Sequence, residues 1–153
     1  MNYAIASDIA SEFKSIDFDE TTAITSTEVE GFITQASQEI NAIIGARYKA
    51  PISADEFPEA NALLKAICIS IVADRVSGIM RLRTGNSKAD QNSKTGVNAV
   101  WGREMLRQIR KGEALLIDEN GAEVSRAGGV SSISSFNVDS GVENNFDLDK
   151  DQW

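Results

Sequence analysis

The stretch NALLKAICISIVADRVSGIMRLR, residues 61–83, is the longest apolar run in the chain. Leu63, Leu64, Ile67, Cys68, Ile71, Val72, Val76, Ile79 and Met80 recur at three- and four-residue spacing, the period of an α-helix. The apolar face is wide, so the helix is expected to be covered on more than one side. Lys65, Asp74, Arg75 and Arg81 break the run, which is too short and too charged to cross a bilayer. A helix of this kind is the centre of a fold, and the rest of the chain must wall it in.

The walls are legible on both sides. Thr25-Ser26-Thr27-Glu28 is a capping box, a hydroxyl at the helix start answered by a carboxylate three residues on. The helix it opens is predicted to run to about residue 48, with Val29, Phe32, Ile33, Ala36, Ile40, Ile43 and Ile44 facing inward. Pro51 stops it, and Pro58 can start the central helix. Upstream, Ser7 is a candidate cap for a short helix over 8–13. Downstream, residues 84–95 form a polar loop without the Gly-Lys-Ser/Thr ending of a phosphate loop. A fourth helix is predicted over 96–111, with Val97, Val100, Trp101, Met105 and Ile109 as its apolar stripe. Gly112 can end it. Asn120-Gly121 signals a tight turn with positive φ at both positions, hence a short β-hairpin within 113–127.

The expected fold class is therefore mainly α: a small bundle of about four helices, with a short β-hairpin and an extended C-terminal arm. The divisions fall at 1–112 for the bundle, 113–127 for the hairpin and 128–153 for the arm. The arm is Ser-rich and then acidic. Val130, Ile133, Phe136, Val138, Phe146, Leu148 and Trp153 stand along it as isolated apolar anchors. Such a segment cannot build its own core. Spaced anchors on a polar chain suit docking on a partner.

Composition excludes much chemistry. At 153 residues one domain is the expectation. There are no histidines, which removes the commonest general base and the usual zinc ligand. No catalytic, cofactor-binding or metal-binding constellation appears, and the chain is not expected to be an enzyme. Asp17, Asp19 and Glu20 lack the alternation and central glycine of a calcium loop. The single cysteine, Cys68, lies on the apolar face of the central helix and reads as an inert buried thiol. Residues 1–10 have neither a basic region nor a long apolar core, so a cytosolic folding site is expected.

The net charge of −8 disfavours general affinity for nucleic acid or an anionic membrane. Its distribution is uneven. Residues 1–59 carry 11 acidic and 3 basic side chains, residues 60–112 carry 3 and 10, and residues 113–153 carry 9 and 2. Such segregation lets acidic segments lie on basic ones, within a chain or between chains. Arg103, Arg107 and Arg110 make a basic stripe on the fourth helix, a candidate intersubunit surface.

Two segments resemble a known family. In ASQEINAIIGARYKAPI, residues 36–52, Ile40, Arg47, Tyr48 and Pro51 match the helix-end signature of head–tail connector (adaptor) proteins of long-tailed phages and Mu-like prophages. Asn41 stands where Asp is frequent. AVWGREMLRQIRKGEALL, residues 99–116, is similar to that family's last helix, which ends in Lys-Gly followed by Leu. The resemblance covers about residues 3–116. It implies a structural virion protein at the neck: a homo-oligomeric ring, commonly of twelve copies, between the capsid portal and a stopper or tail-completion protein. DNA would pass through the channel without specific binding. It implies no cofactor and no membrane. The alternative reading of the residues is a helical nucleic-acid-binding or regulatory module that uses Arg103, Arg107, Gln108 and Arg110.

Overall fold

Among the described residues, four α-helices follow one another in the computed structural model: α1 (Ala6–Glu12), α2 (Ser26–Ile44), α3 (Pro58–Thr84) and α4 (Lys94–Lys111). The structure describes residues 1–13, 18, 24–84 and 94–126, and for 84 and 94–99 the backbone alone. The predicted arm at 128–153, the acidic trio Asp17, Asp19 and Glu20, and most of the polar loop lie outside the described residues. Lys94 and Thr95, expected in that loop, belong to α4.

The central helix is α3. It packs against α1, α2 and α4. Leu64, Ile67, Cys68, Ile71, Val72 and Val76 are all fully buried. Burying a Leu, Ile or Val side chain is worth about 1.5–3 kcal/mol, so this helix is a large single contributor to the bundle's driving force. Three of its basic residues are paired with acidic residues of α1 and α2. Lys65 meets Asp8 at 2.9 Å, Arg75 meets Glu39 at 2.8 Å and Arg83 meets Glu28 at 3.0 Å. Much of the charge segregation seen in the sequence is thus answered inside one chain. Among the described residues no helix is long and apolar enough to cross a membrane.

α2 starts as its sequence demands. Thr25 Oγ1 accepts a hydrogen bond from the Glu28 amide at 3.3 Å, and the Glu28 carboxylate accepts from the Thr25 amide at 2.9 Å. Thr25→Ala removes one of these partners and should lower stability by about 1 kcal/mol in a denaturant titration. The helix ends at Ile44, earlier than its periodicity suggests. The amides of both Arg47 and Tyr48 donate to the Ile44 carbonyl at 2.8 Å, and Tyr48 then leaves to bridge Arg126. Tertiary pairing ends the helix before Pro51 can. The first helix also differs from expectation. Its cap is Ile5, not Ser7, and the Asp8 carboxylate accepts from the Ile5 amide at 2.9 Å.

Only the C-terminal half of α4's expected stripe faces inward. Ile109 is buried and Met105 packs against the core, with Leu106 buried beside them, whereas Val100 and Trp101 are exposed. The cause is Gly102, which lies buried against α3. A Cβ there would run into Ser70 Oγ, with the Ile67 carbonyl oxygen 3.4 Å away. The two helix backbones approach closely at this point, and the glycine, not the tryptophan beside it, faces the partner.

The expected hairpin is replaced by a turn without strands. Among the described residues the only β-pairing is two isolated antiparallel bridges, Ile117 with Glu123 and Tyr48 with Arg126. The Gly121 amide donates to the Asp118 carbonyl at 3.0 Å, and Gly121 takes a left-handed φ, 79°. Asp118 Oδ1 accepts from the amides of Asn120 and Ala122. This side-chain closure favours a three-residue loop over the two-residue primed turn that Asn-Gly signalled. Leu116 and Val124 on either side are buried in the same core as the helices.

Candidate functional site

The family-signature residues converge at the C-terminal end of α2. Ile40 is buried core. Tyr48 is fully buried, and its hydroxyl joins two distant pieces of chain: it donates to Glu123 Oε1 at 3.1 Å and accepts from the Leu116 amide at 3.2 Å. Arg47 reaches the same Glu123 oxygen, with Nη2 at 3.2 Å. Arg126 closes the other side at 2.6 Å to Oε2. The Arg47 guanidinium also lies over the Tyr48 ring, 5.7 Å from its centroid. Gly112, with φ 82°, leaves room for that guanidinium, which a Cβ would strike. Pro51 follows in a cis peptide with Ala50. One further bond, Lys49 N–H to the Ser125 carbonyl at 3.1 Å, runs alongside.

These contacts make a clamp on residues 113–126, the root of the C-terminal segment. Glu123 is its hub. Arg126 first, then Arg47 and Tyr48, hold its carboxyl below the ordinary glutamate range. A carboxyl whose pKa is lowered on folding stabilises the fold above its unfolded value, and that contribution fades as pH falls through the folded value. Glu123→Gln should therefore narrow the stability gap to wild type as the buffer is taken below about pH 4, read by urea midpoints across pH.

A second polar group holds the N-terminus. Tyr3 donates its hydroxyl to Asn41 Oδ1 at 2.6 Å and accepts from the Ile52 amide at 3.3 Å, while its own amide donates to Ser37 Oγ. Asn41, the departure from the family signature, accepts this bond without bringing a charge beside the core. Burial raises the Tyr3 pKa and that of the Cys68 thiol, whose Sγ lies 3.8 Å from Ser37 Oγ. A buried, protonated thiol is a packing group, not a nucleophile.

The basic stripe lies elsewhere. Arg103, Arg107 and Arg110 line a cleft of about 240 Å³ between α2 and α4, with Glu39, Ile43 and Leu106 as the remaining walls. Arg107 is held by Glu104 at 2.8 Å on its own helix. Glu39 is paired with Arg75. Arg103 and Arg110 have no ion pair among the described residues. No group of His, Cys, Asp and Glu able to hold a metal occurs among the described residues. The anchors Val130, Ile133, Phe136, Val138, Phe146, Leu148 and Trp153 fall outside them. The clamp was only half visible in the sequence. Arg47 and Tyr48 stood in a quoted motif, but nothing marked Glu123 or Arg126 as their partners.

Comparison with known proteins gives no match among curated sequences and none among solved structures. The family model described as Bacteriophage Mu, Gp36 matches residues 3–134, a span that contains both polar clusters, all four helices and the groove. The chain therefore belongs to the bacteriophage Mu Gp36 family and is a phage protein.

Proposed function

We propose that this chain is a structural protein of the virion neck, a ring adaptor between the capsid portal and the stopper or tail-completion protein. The ring holds about twelve copies, DNA passes through its channel, and the subunit catalyses nothing. The resemblance of residues 36–52 and 99–116 to head–tail connectors supports this reading, as does membership of a phage family. The observation that carries it is the clamp on residues 113–126. The signature residues Arg47 and Tyr48 are used to fix where the C-terminal segment leaves the bundle, which is what a docking arm requires. An acidic chain also suits a channel through which DNA slides, because phosphates are repelled and not held. In this reading Val130, Ile133, Phe136, Val138, Phe146, Leu148 and Trp153 are the arm's anchors on the portal or a neighbour.

The test is a phage whose chain stops after Gly129. Among the described residues the buried core lies at or before Val124, so the shortened subunit should stay folded by circular dichroism. Filled heads should accumulate beside unattached tails in electron micrographs. Normal joined particles in the same micrographs would end the arm reading.

A further inference from the structure

We propose that the groove between α2 and α4 is the seat of residues Phe146-Asp147-Leu148-Asp149 of a second copy of this chain; the assignment of the segment to a neighbour rests on the ring reading above. The groove has an apolar floor, Ile43 and Leu106, and a cationic rim, Arg103, Arg107 and Arg110. The rim is charge left over. Lys65, Arg75 and Arg83 of α3 are matched by Asp8, Glu39 and Glu28, and Arg47 by Glu123. Lys111 has Glu113 and Arg107 has Glu104, but Arg103 and Arg110 have no ion pair among the described residues.

The acid that answers them is in the sequence. Residues 139–153 carry five carboxylate side chains against one lysine. Within them Phe146-Asp147-Leu148-Asp149 alternates apolar and acidic residues. An extended chain turns alternate side chains to opposite sides. Phe146 and Leu148 can then enter the floor while Asp147 and Asp149 stand where long arginine side chains reach them. Arginine suits this use, because its planar fork pairs with carboxylates and tolerates partial desolvation. Glu39 does not repel the segment, since Arg75 neutralises it.

The probe is a fluorescent peptide of residues 139–153, titrated by anisotropy into the full-length chain carrying Phe146→Ser and Leu148→Ser, whose own segment is disabled. Saturable binding is expected, weakened several-fold when salt rises to about 0.5 M. Adding Arg103→Glu and Arg110→Glu should weaken it at least about tenfold. Both arginines are exposed, so unchanged circular dichroism separates lost binding from lost folding. No binding up to about 1 mM peptide, or binding indifferent to the two reversals, overturns the proposal. The dilute chain with its native segment should bind the peptide equally well. If it refuses the peptide while the disabled chain accepts it, the segment folds back on its own subunit and the second copy is wrong. Heads and tails that join normally with Asp147→Arg and Asp149→Arg overturn the docking and leave the adaptor reading intact. A groove that binds the peptide, in a chain missing from purified particles, does the reverse.

Discussion

Replacing Gly102 by leucine should cost about 3 kcal/mol and lower the melting temperature by about 10 °C, the upper range for overpacking a close helix contact. The position is mid-helix, where glycine is disfavoured by about 1 kcal/mol relative to alanine, so propensity alone predicts a gain from any substitution but proline. Packing decides against it. The first atom of any side chain meets Ser70 Oγ, and Ser70 is not free to yield. Its hydroxyl donates to the Ile67 carbonyl at 2.8 Å inside the interface. Gly102→Ala should thus be mildly destabilising despite its propensity. Pairing it with Ser70→Ala should restore or exceed wild-type stability, because the second change removes the oxygen that blocks the first. A thermal melt of the four proteins gives the coupling directly. If Gly102→Ala alone is more stable than wild type, the close approach of α3 and α4 is wrong.

Tyr48→Ala should be as damaging, about 3–5 kcal/mol, since it empties a fully buried aromatic site. The more informative change is Tyr48→Phe. The ring stays and the oxygen goes, leaving the buried Leu116 amide without its acceptor and Glu123 without one of its donors. An orphaned buried donor costs about 1–3 kcal/mol. The loss should be local as well as global. Hydrogen exchange at the Leu116 and Val124 amides should speed up while the amides of α3 stay protected. Uniform acceleration along the chain would mean that the clamp is merely one more piece of the core.

What could be read in advance follows from range. The α3 pattern is periodic over six turns, and the Thr25–Glu28 box is closed within four residues; both signals are local, and both were legible. Pro58 as a helix start was legible for the same reason. The face of α4 was not. Ile109 was legible, but Val100 and Trp101 look as apolar as Leu106, and only the presence of Ser70 opposite Gly102 decides between them. The clamp was less legible still. Tyr48 meets its partners 68 and 75 residues later, and Glu123 is one acid among many in that part of the sequence. The turn at Asp118–Gly121 was placed correctly but given the wrong form, because its geometry depends on where the Asp118 carboxylate points. The basic stripe was visible as three arginines, but which of them keep an unanswered charge emerged only with Glu104 in place.

The antiparallel pairing of Tyr48 with Arg126 also determines how the subunit bears mechanical load. Tension on the chain beyond Arg126 does not travel first down the covalent path to α4. It meets the Lys49–Ser125 hydrogen bond and, through Arg126 and Glu123, the Glu123–Arg47 pair, and so is delivered to the end of α2. A pull at the C-terminal end would be shared by two helices far apart in the chain. The first bonds to yield would be these exposed polar ones, before any part of the α3 packing is disturbed.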